Sequence, residues 1–288
     1  MAKRTDLAST KVAGHAALAK HLDTDHSMDD MAELVILPRV KIIQSMSDSK
    51  LKKQFGEGSA VVFPGDAFVI DASGDATEGA AAFDFVPLFF YQEFCKWKDM
   101  KDKTPPCVIE RSFDAASKTA LMCKDKDTRF EVYPEDVDKK EKDQRQYRFV
   151  HHLRFIGIIA GDHDLTGTTV TVTFERGEFV KGRSFISAIK MRKITVKEEY
   201  DGKEIDVRKT CPLWAQVWQF SIGLRPGELG EWYGFNFEPA ESPIIADHDI
   251  DRMRAAHEEY TELHKKQRLR VEEDVEVDED ADTPNDEL

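Results

Sequence analysis

The chain has 288 residues, 41% of them hydrophobic and 33% charged, with 41 Lys and Arg against 55 Asp and Glu for a net charge of −14. That apolar content is enough for one large core or two small ones, and it excludes a wholly disordered chain. No apolar run approaches the roughly 20 residues that cross a bilayer, and "MAKRTDLAST" is too polar for a secretory signal. Cys95, Cys107, Cys123 and Cys211 form no CxxC pair and have no His at finger spacing. The expectation is an intracellular protein with no membrane span and with reduced, partly buried thiols.

In chain order, residues 1–30 lack a sustained apolar period and read as a flexible arm with a short helix in "GHAALAKHL". Residues 31–245 form the body. It opens at "ELVILPRVKIIQ", where Pro38 belongs at a strand start or edge. There Arg39 and Lys41 alternate with Val40 and Ile42, putting two cations on one side of a strand. Strands are predicted at "AVVF", "AFVID", "FDFVPLFFYQEFCKW", "CVIERSF", "TALMC" and "RFEVY". The charged stretch from Asp99 to Gln146 reads as hairpins or loops projecting from the core.

"YRFVHHLRFIGIIAG" and "TGTTVTVTFERG" resume strand character, while "GRSFISAIKMRKI" reads as a helix with a strand as the alternative. "WAQVWQFSIGL" and "EWYGFNFE" form a hairpin across "RPGELG". Residues 246–270 hold one amphipathic helix with Met253, Ala256, Tyr260 and Leu263 on a face. Residues 271–288 form a disordered acidic tail. The sum is a mainly β chain of barrel or sandwich type with one or two helices.

Motif chemistry for an enzyme is missing: there is no phosphate loop, nucleophile elbow, HExxH or dinucleotide fingerprint. Asp162, His163 and Asp164, and Asp247, His248 and Asp249, are metal-ligand types in Asp-rich turns without the alternation and closing Glu of a calcium loop. His151 and His152 point to opposite faces of a strand, which spoils them as a ligand pair. The chain is therefore read as a non-enzyme needing no cofactor or metal.

Charge is distributed unevenly. Removing the ten acids that follow Arg270 leaves 41 bases against 45 acids, a body near balance at −4. Arg176 to Lys209 has ten bases and six acids, and Lys139 to Arg154 has six bases and two acids. Bases interleaved with aromatic residues suit single-stranded nucleic acid, in which rings stack on bases and cations follow phosphates. Tyr233, Phe235 and Phe237 share one strand face and read as core. Trp232 on the other face, and Trp97 between Lys96 and Lys98, are the stacking candidates.

"LPRVKIIQSMSDSKLKKQFGEG", "FVPLFFYQEFCKW" and "GEWYGFNF" resemble a diverse group of phage-encoded single-stranded DNA-binding proteins across roughly Glu33 to Glu238. The resemblance implies an oligonucleotide-binding (OB-fold-like) barrel with inserted hairpins, in which Arg39 and Lys41 begin the first strand. On this reading a groove lined by Arg39, Lys41, Lys181, Arg183, Lys190 and Arg192, with Trp97 and Trp232 stacking, holds single-stranded DNA during replication or recombination.

The resemblance also implies that Glu272, Glu273, Asp274, Glu276, Asp278, Glu279, Asp280, Asp282, Asp286 and Glu287 of the tail compete for that groove. Through the tail, a phage polymerase, helicase or recombinase could be recruited. Many such tails end in an aromatic residue, whereas this one ends in Leu288, which weakens terminal capture and leaves the electrostatic role. The expected location is the cytoplasm of an infected bacterial cell, and homo-oligomerisation is compatible with the reading. Two alternatives are an acidic interaction or DNA-mimic protein that docks on a basic partner, and a metal-dependent nuclease using Asp162 and Asp164.

Overall fold

The computed structural model describes residues 36–47, 49–64, 67–71, 81–98, 107–125, 129–140, 144–201, 203–227 and 230–269. The predicted N-terminal arm and the acidic tail lie outside these residues. Those described from Leu37 onward fall in one compact unit.

Twelve strands and four helices follow in order among the described residues: β1 (Arg39–Ile42), α1 (Ser49–Phe55), β2 (Ala60–Phe63), β3 (Ala67–Ile70), β4 (Ala82–Lys98), β5 (Cys107–Ser112), α2 (Lys118–Lys124) and β6 (Phe130–Val132). Then come β7 (Gln146–Ala160), β8 (Thr169–Phe174), α3 (Phe179–Met191), β9 (Lys193–Tyr200), β10 (Lys203–Thr210), β11 (Gln216–Arg225), β12 (Trp232–Ile244) and α4 (Ile250–Lys265). The main sheet runs β12-β11-β4-β7-β8-β1-β2-β3, with β5 paired to β4 and β6 to β7. The mainly β expectation holds. The sheet is open, with β12 and β3 as its two ends, rather than closed into a barrel.

Period-two alternation decides which side of each strand is dry. Val40, Leu153, Phe155, Val172, Phe174, Phe220 and Phe235 from five strands meet in one core, and Phe185 and Ile189 of α3 close it. Phe185 is fully buried against the rings of Phe155, Trp218, Phe220 and Phe237. The helix reading of "GRSFISAIKMRKI" is thereby correct, because residues 185 and 189 are one turn apart and fall on one stripe. On α4, Met253 is buried, and Ala256, Tyr260 and Leu263 pack against the body beside it.

Four local readings are corrected. "TALMC" belongs to α2, not a strand: Ser117 accepts the amide of Ala120 at 3.1 Å as an N-cap, and Ala, Leu and Met are strong helix formers. The segment around Leu51 forms α1, where no element was expected. Finally, β9 and β10 form a separate two-stranded hairpin inside the basic stretch, closed at its base by a hydrogen bond from the Cys211 amide to the Arg192 carbonyl. Between Asp99 and Gln146, β5 and β6 do not project from the core but pair with the ends of β4 and β7.

Candidate nucleic-acid interface

β4 and β7 pair along almost their full lengths, and directly opposed residues share a side of the sheet. Opposite the α3 side, the rows run Trp97 with Arg148, Cys95 with Val150, Glu93 with His152, and Tyr91 with Arg154. β6 extends the first row with Phe130, whose ring is half exposed, and β5 brings Arg111 beside Cys95. β8 brings Thr173 beside Arg154, and β1 places Arg39 beside Thr171. One face therefore collects Arg39, Arg111, Arg148, Arg154, His152 and Trp97 from four strands.

Its centre is a buried ion-pair network. The fully buried Arg154 donates from Nε to Glu93 Oε2 at 2.6 Å and from Nη1 to Thr173 Oγ1 at 3.4 Å, while Arg111 Nη1 reaches Glu93 Oε1 at 2.8 Å. Burial alone would raise the Glu93 carboxyl, but the two guanidinium groups overcome that effect and hold it below the ordinary carboxylate range. His152 is driven well below its ordinary value, first by burial and then by Arg154, Arg39, Arg176 and Arg111, so its ring is neutral at pH 7. Its Nε2 lies 3.2 Å from Glu175 without hydrogen-bond geometry.

Three side chains on this face bury donor-capable nitrogens that have no hydrogen-bond partner among the described residues: Trp97 Nε1, Arg148 Nε and both ring nitrogens of His152. Trp97 is half-buried, its ring at 24° to that of His152 with 6.4 Å between centroids. Unpaired donors in a field of guanidinium groups are arranged for acceptors of negative charge. Glu93, Cys95 and His152 offer ligand-type atoms within 4.8 Å of one another. However, both Glu93 oxygens are held by arginines, and four guanidinium groups oppose an added cation. The set does not suit a metal.

The eight sequence-predicted groove residues do not line one groove. Arg39 and Lys41 lie on the face just described, since Val40 and Ile42 turn into the core on the other side, and Trp97 joins them. Lys181, Arg183, Lys190 and Arg192 belong to α3 and its C-terminal cap, which cover the opposite face. Trp232 is half-buried at a third place. Its indole packs on Gly177 and Gly227, where an added Cβ would fall within 2.9 and 2.3 Å of the ring, and its Nε1 lies 3.4 Å from Glu178. Glu178 also accepts from Arg225 Nε and the Phe235 amide, each at 3.1 Å, so Trp232 is part of a structural junction.

Sequence reasoning missed Arg111, Arg148, Arg154, His152 and Glu93 as site residues. The alternation of "HHLR" places His152 and Arg154 on one side, and His151 does turn to the other, packing on Phe94 and Phe179. Of the Asp-rich turns, His163 accepts the Leu165 amide at Nδ1 and bonds the Val69 carbonyl through Nε2, leaving neither nitrogen for a metal. Asp249 pairs with Arg252. Cys95 and Cys211 are buried free thiols and Cys123 is a half-buried one. No helix among the described residues is long and apolar enough to cross a membrane.

Among known proteins, the family model described as Pam3 phage gp34-like protein matches residues 8–268. No curated protein and no solved structure matches the chain.

Proposed function

The chain belongs to the family of Pam3 phage gp34-like proteins, and from that premise we propose that it is a non-catalytic, sequence-independent single-stranded DNA-binding protein acting in phage replication or recombination in the infected cell. The strand lies along the β4–β7 face, its phosphates on Arg39, Lys41, Arg111 and Arg148 and a base on Trp97. The observation that carries this reading is the set of unpaired buried donors of Trp97, Arg148 and His152 on one side of the sheet. They sit in a field of arginines in which the Glu93 carboxylate is already held by Arg111 and Arg154.

The acidic tail acts as an internal competitor. Leu269, the last described residue, packs against Leu37, Tyr91 and Ile156. Tyr91 is the register partner of Arg154, so the chain enters its acidic segment beside the arginine face. From Arg148 to Arg154 that face is about 20 Å long at strand rise, within reach of 18 residues at about 3.3 Å each. A tethered polyanion so close competes at high effective concentration. Recruitment of a polymerase, helicase or recombinase is a second use of the same tail when DNA displaces it.

The test is a fluorescence-anisotropy titration of labelled oligothymidine with full-length protein and with a chain lacking residues 272–288. Truncation tightens binding at low salt, and the gain shrinks as salt screens the tail. Equal affinities at low salt would remove the competition. If neither protein bound, the alternative of an acidic protein docking on a basic partner would stand instead.

A further inference from the structure

The proposed strand site leaves a second cationic surface unused. From Phe179 to Lys197 the chain carries six bases, Lys181, Arg183, Lys190, Arg192, Lys193 and Lys197, and no carboxylate. Phe185 and Ile189 anchor α3 inward, while Arg183, Ser184, Ser187 and Lys190 are exposed. Arg183 and Lys190 are two turns apart, about 10.5 Å along the axis.

The base of the β9–β10 hairpin continues this surface. Lys193 pairs in register with Thr210 and Thr195 with Arg208, and all four are exposed. Lys197 and Lys209 are taken by Glu204 and Glu198, and Lys181 and Arg192 lie over the rings of Phe237 and Trp218. Arg183, Lys190, Lys193 and Arg208 form no ion pair among the described residues.

We infer that this α3 and hairpin surface binds a second nucleic-acid strand through its phosphates, so that one molecule bridges two strands. The inference rests on the proposed strand site across the sheet, because α3 covers the side opposite the Arg154 face. Charge complementarity selects the occupant: four cations with no ion pair among the described residues, with exposed serines on α3 and no acid from Phe179 to Lys197, match a phosphate backbone. The two strands would be held on opposite sides of the sheet, out of contact with each other, until one is released. This suits strand exchange or annealing rather than coating alone.

The experiment is a sandwich capture. Oligothymidine on beads is loaded with full-length protein and washed, and a labelled second oligothymidine, unable to pair with the first, is added. Wild type retains the second strand. An Arg183→Glu, Lys190→Glu chain, with Arg183→Ala, Lys190→Ala as the milder form, binds the first strand within about twofold and loses at least about tenfold of second-strand capture. The inference is overturned if wild type loads on the first strand and captures no second, if the variants capture as well as wild type, or if they lose first-strand affinity in parallel. Failure to load on the first strand at all would instead sink the proposed function.

Discussion

Glu93 and Arg154 show how charge is managed at single positions. At 1% and 0% exposure the pair has no water to fall back on, and Arg111 supplies the second cation. Removing one member leaves the other buried and uncompensated, which costs about 3–5 kcal/mol. Arg154→Ala is therefore expected to lower stability by that amount in denaturant unfolding, whereas loss of the half-exposed Arg148 should cost under about 1 kcal/mol. A destabilisation by Arg154→Ala under about 1 kcal/mol would mean that the network is not a unit.

The neighbouring histidines add a pH dependence. Burial first, and then Lys124, brings His151 down to about 4, and burial with the surrounding arginines holds His152 well below its ordinary value. The unfolded chain takes up both protons near 6.5, before the folded one does. Stability is therefore full above about 6.5 and declines as pH falls toward 4. Unfolding midpoints measured between about pH 7.5 and 5 should drop for wild type, and drop less for a His151→Asn, His152→Gln chain. Equal slopes would remove the histidines from the account. Of the residues on the candidate face, Arg39, Lys41 and Trp97 were singled out in the sequence. Local alternation exposes them, whereas Glu93 meets Arg154 through a register between residues 61 apart.

At the scale of elements, legibility followed pattern strength. β4, β7 and β8 carry long β-branched and aromatic runs and were read correctly, as was the β11–β12 hairpin with its Pro and Gly turn. "TALMC" failed because a five-residue, mainly apolar run fits a buried strand and a short helix equally, and the deciding feature was the cap at Ser117. β9 and β10 were missed because charges fill alternate positions and hide the β-branched residues Ile194, Val196, Ile205 and Val207.

An isolated two-stranded hairpin is at best marginally stable, and this one pairs with no other strand. Replacing residues 194–209 by Asn-Gly between Lys193 and Thr210 should shift the melting temperature by under about 3 °C. Collapse of the body on excision would show that the hairpin carries structural duty that its pairing does not reveal.

For the whole molecule, the sum of −14 conceals two opposed regions: a body of 41 bases and 45 acids, and ten acids after Arg270 with no base. The body separates its cations further, into the arginine face on one side of the sheet and the α3 and hairpin surface on the other. Composition could suggest this segregation but not assign its sides, because the side is set by strand register and by where α3 docks. The function proposed for the Trp97, Arg148 and Arg111 face is to hold a single strand by stacking and phosphate contact.

It is tested most directly by the salt dependence of oligothymidine binding from about 50 to 300 mM for wild type, Trp97→Ala and Arg148→Ala. Affinity should fall steeply with salt. Trp97→Ala should weaken binding by about 1–3 kcal/mol at unchanged slope, and Arg148→Ala should lower the slope by about 0.7 for one lost phosphate. Wild-type binding that both substitutions leave untouched, in affinity and in slope, would contradict it.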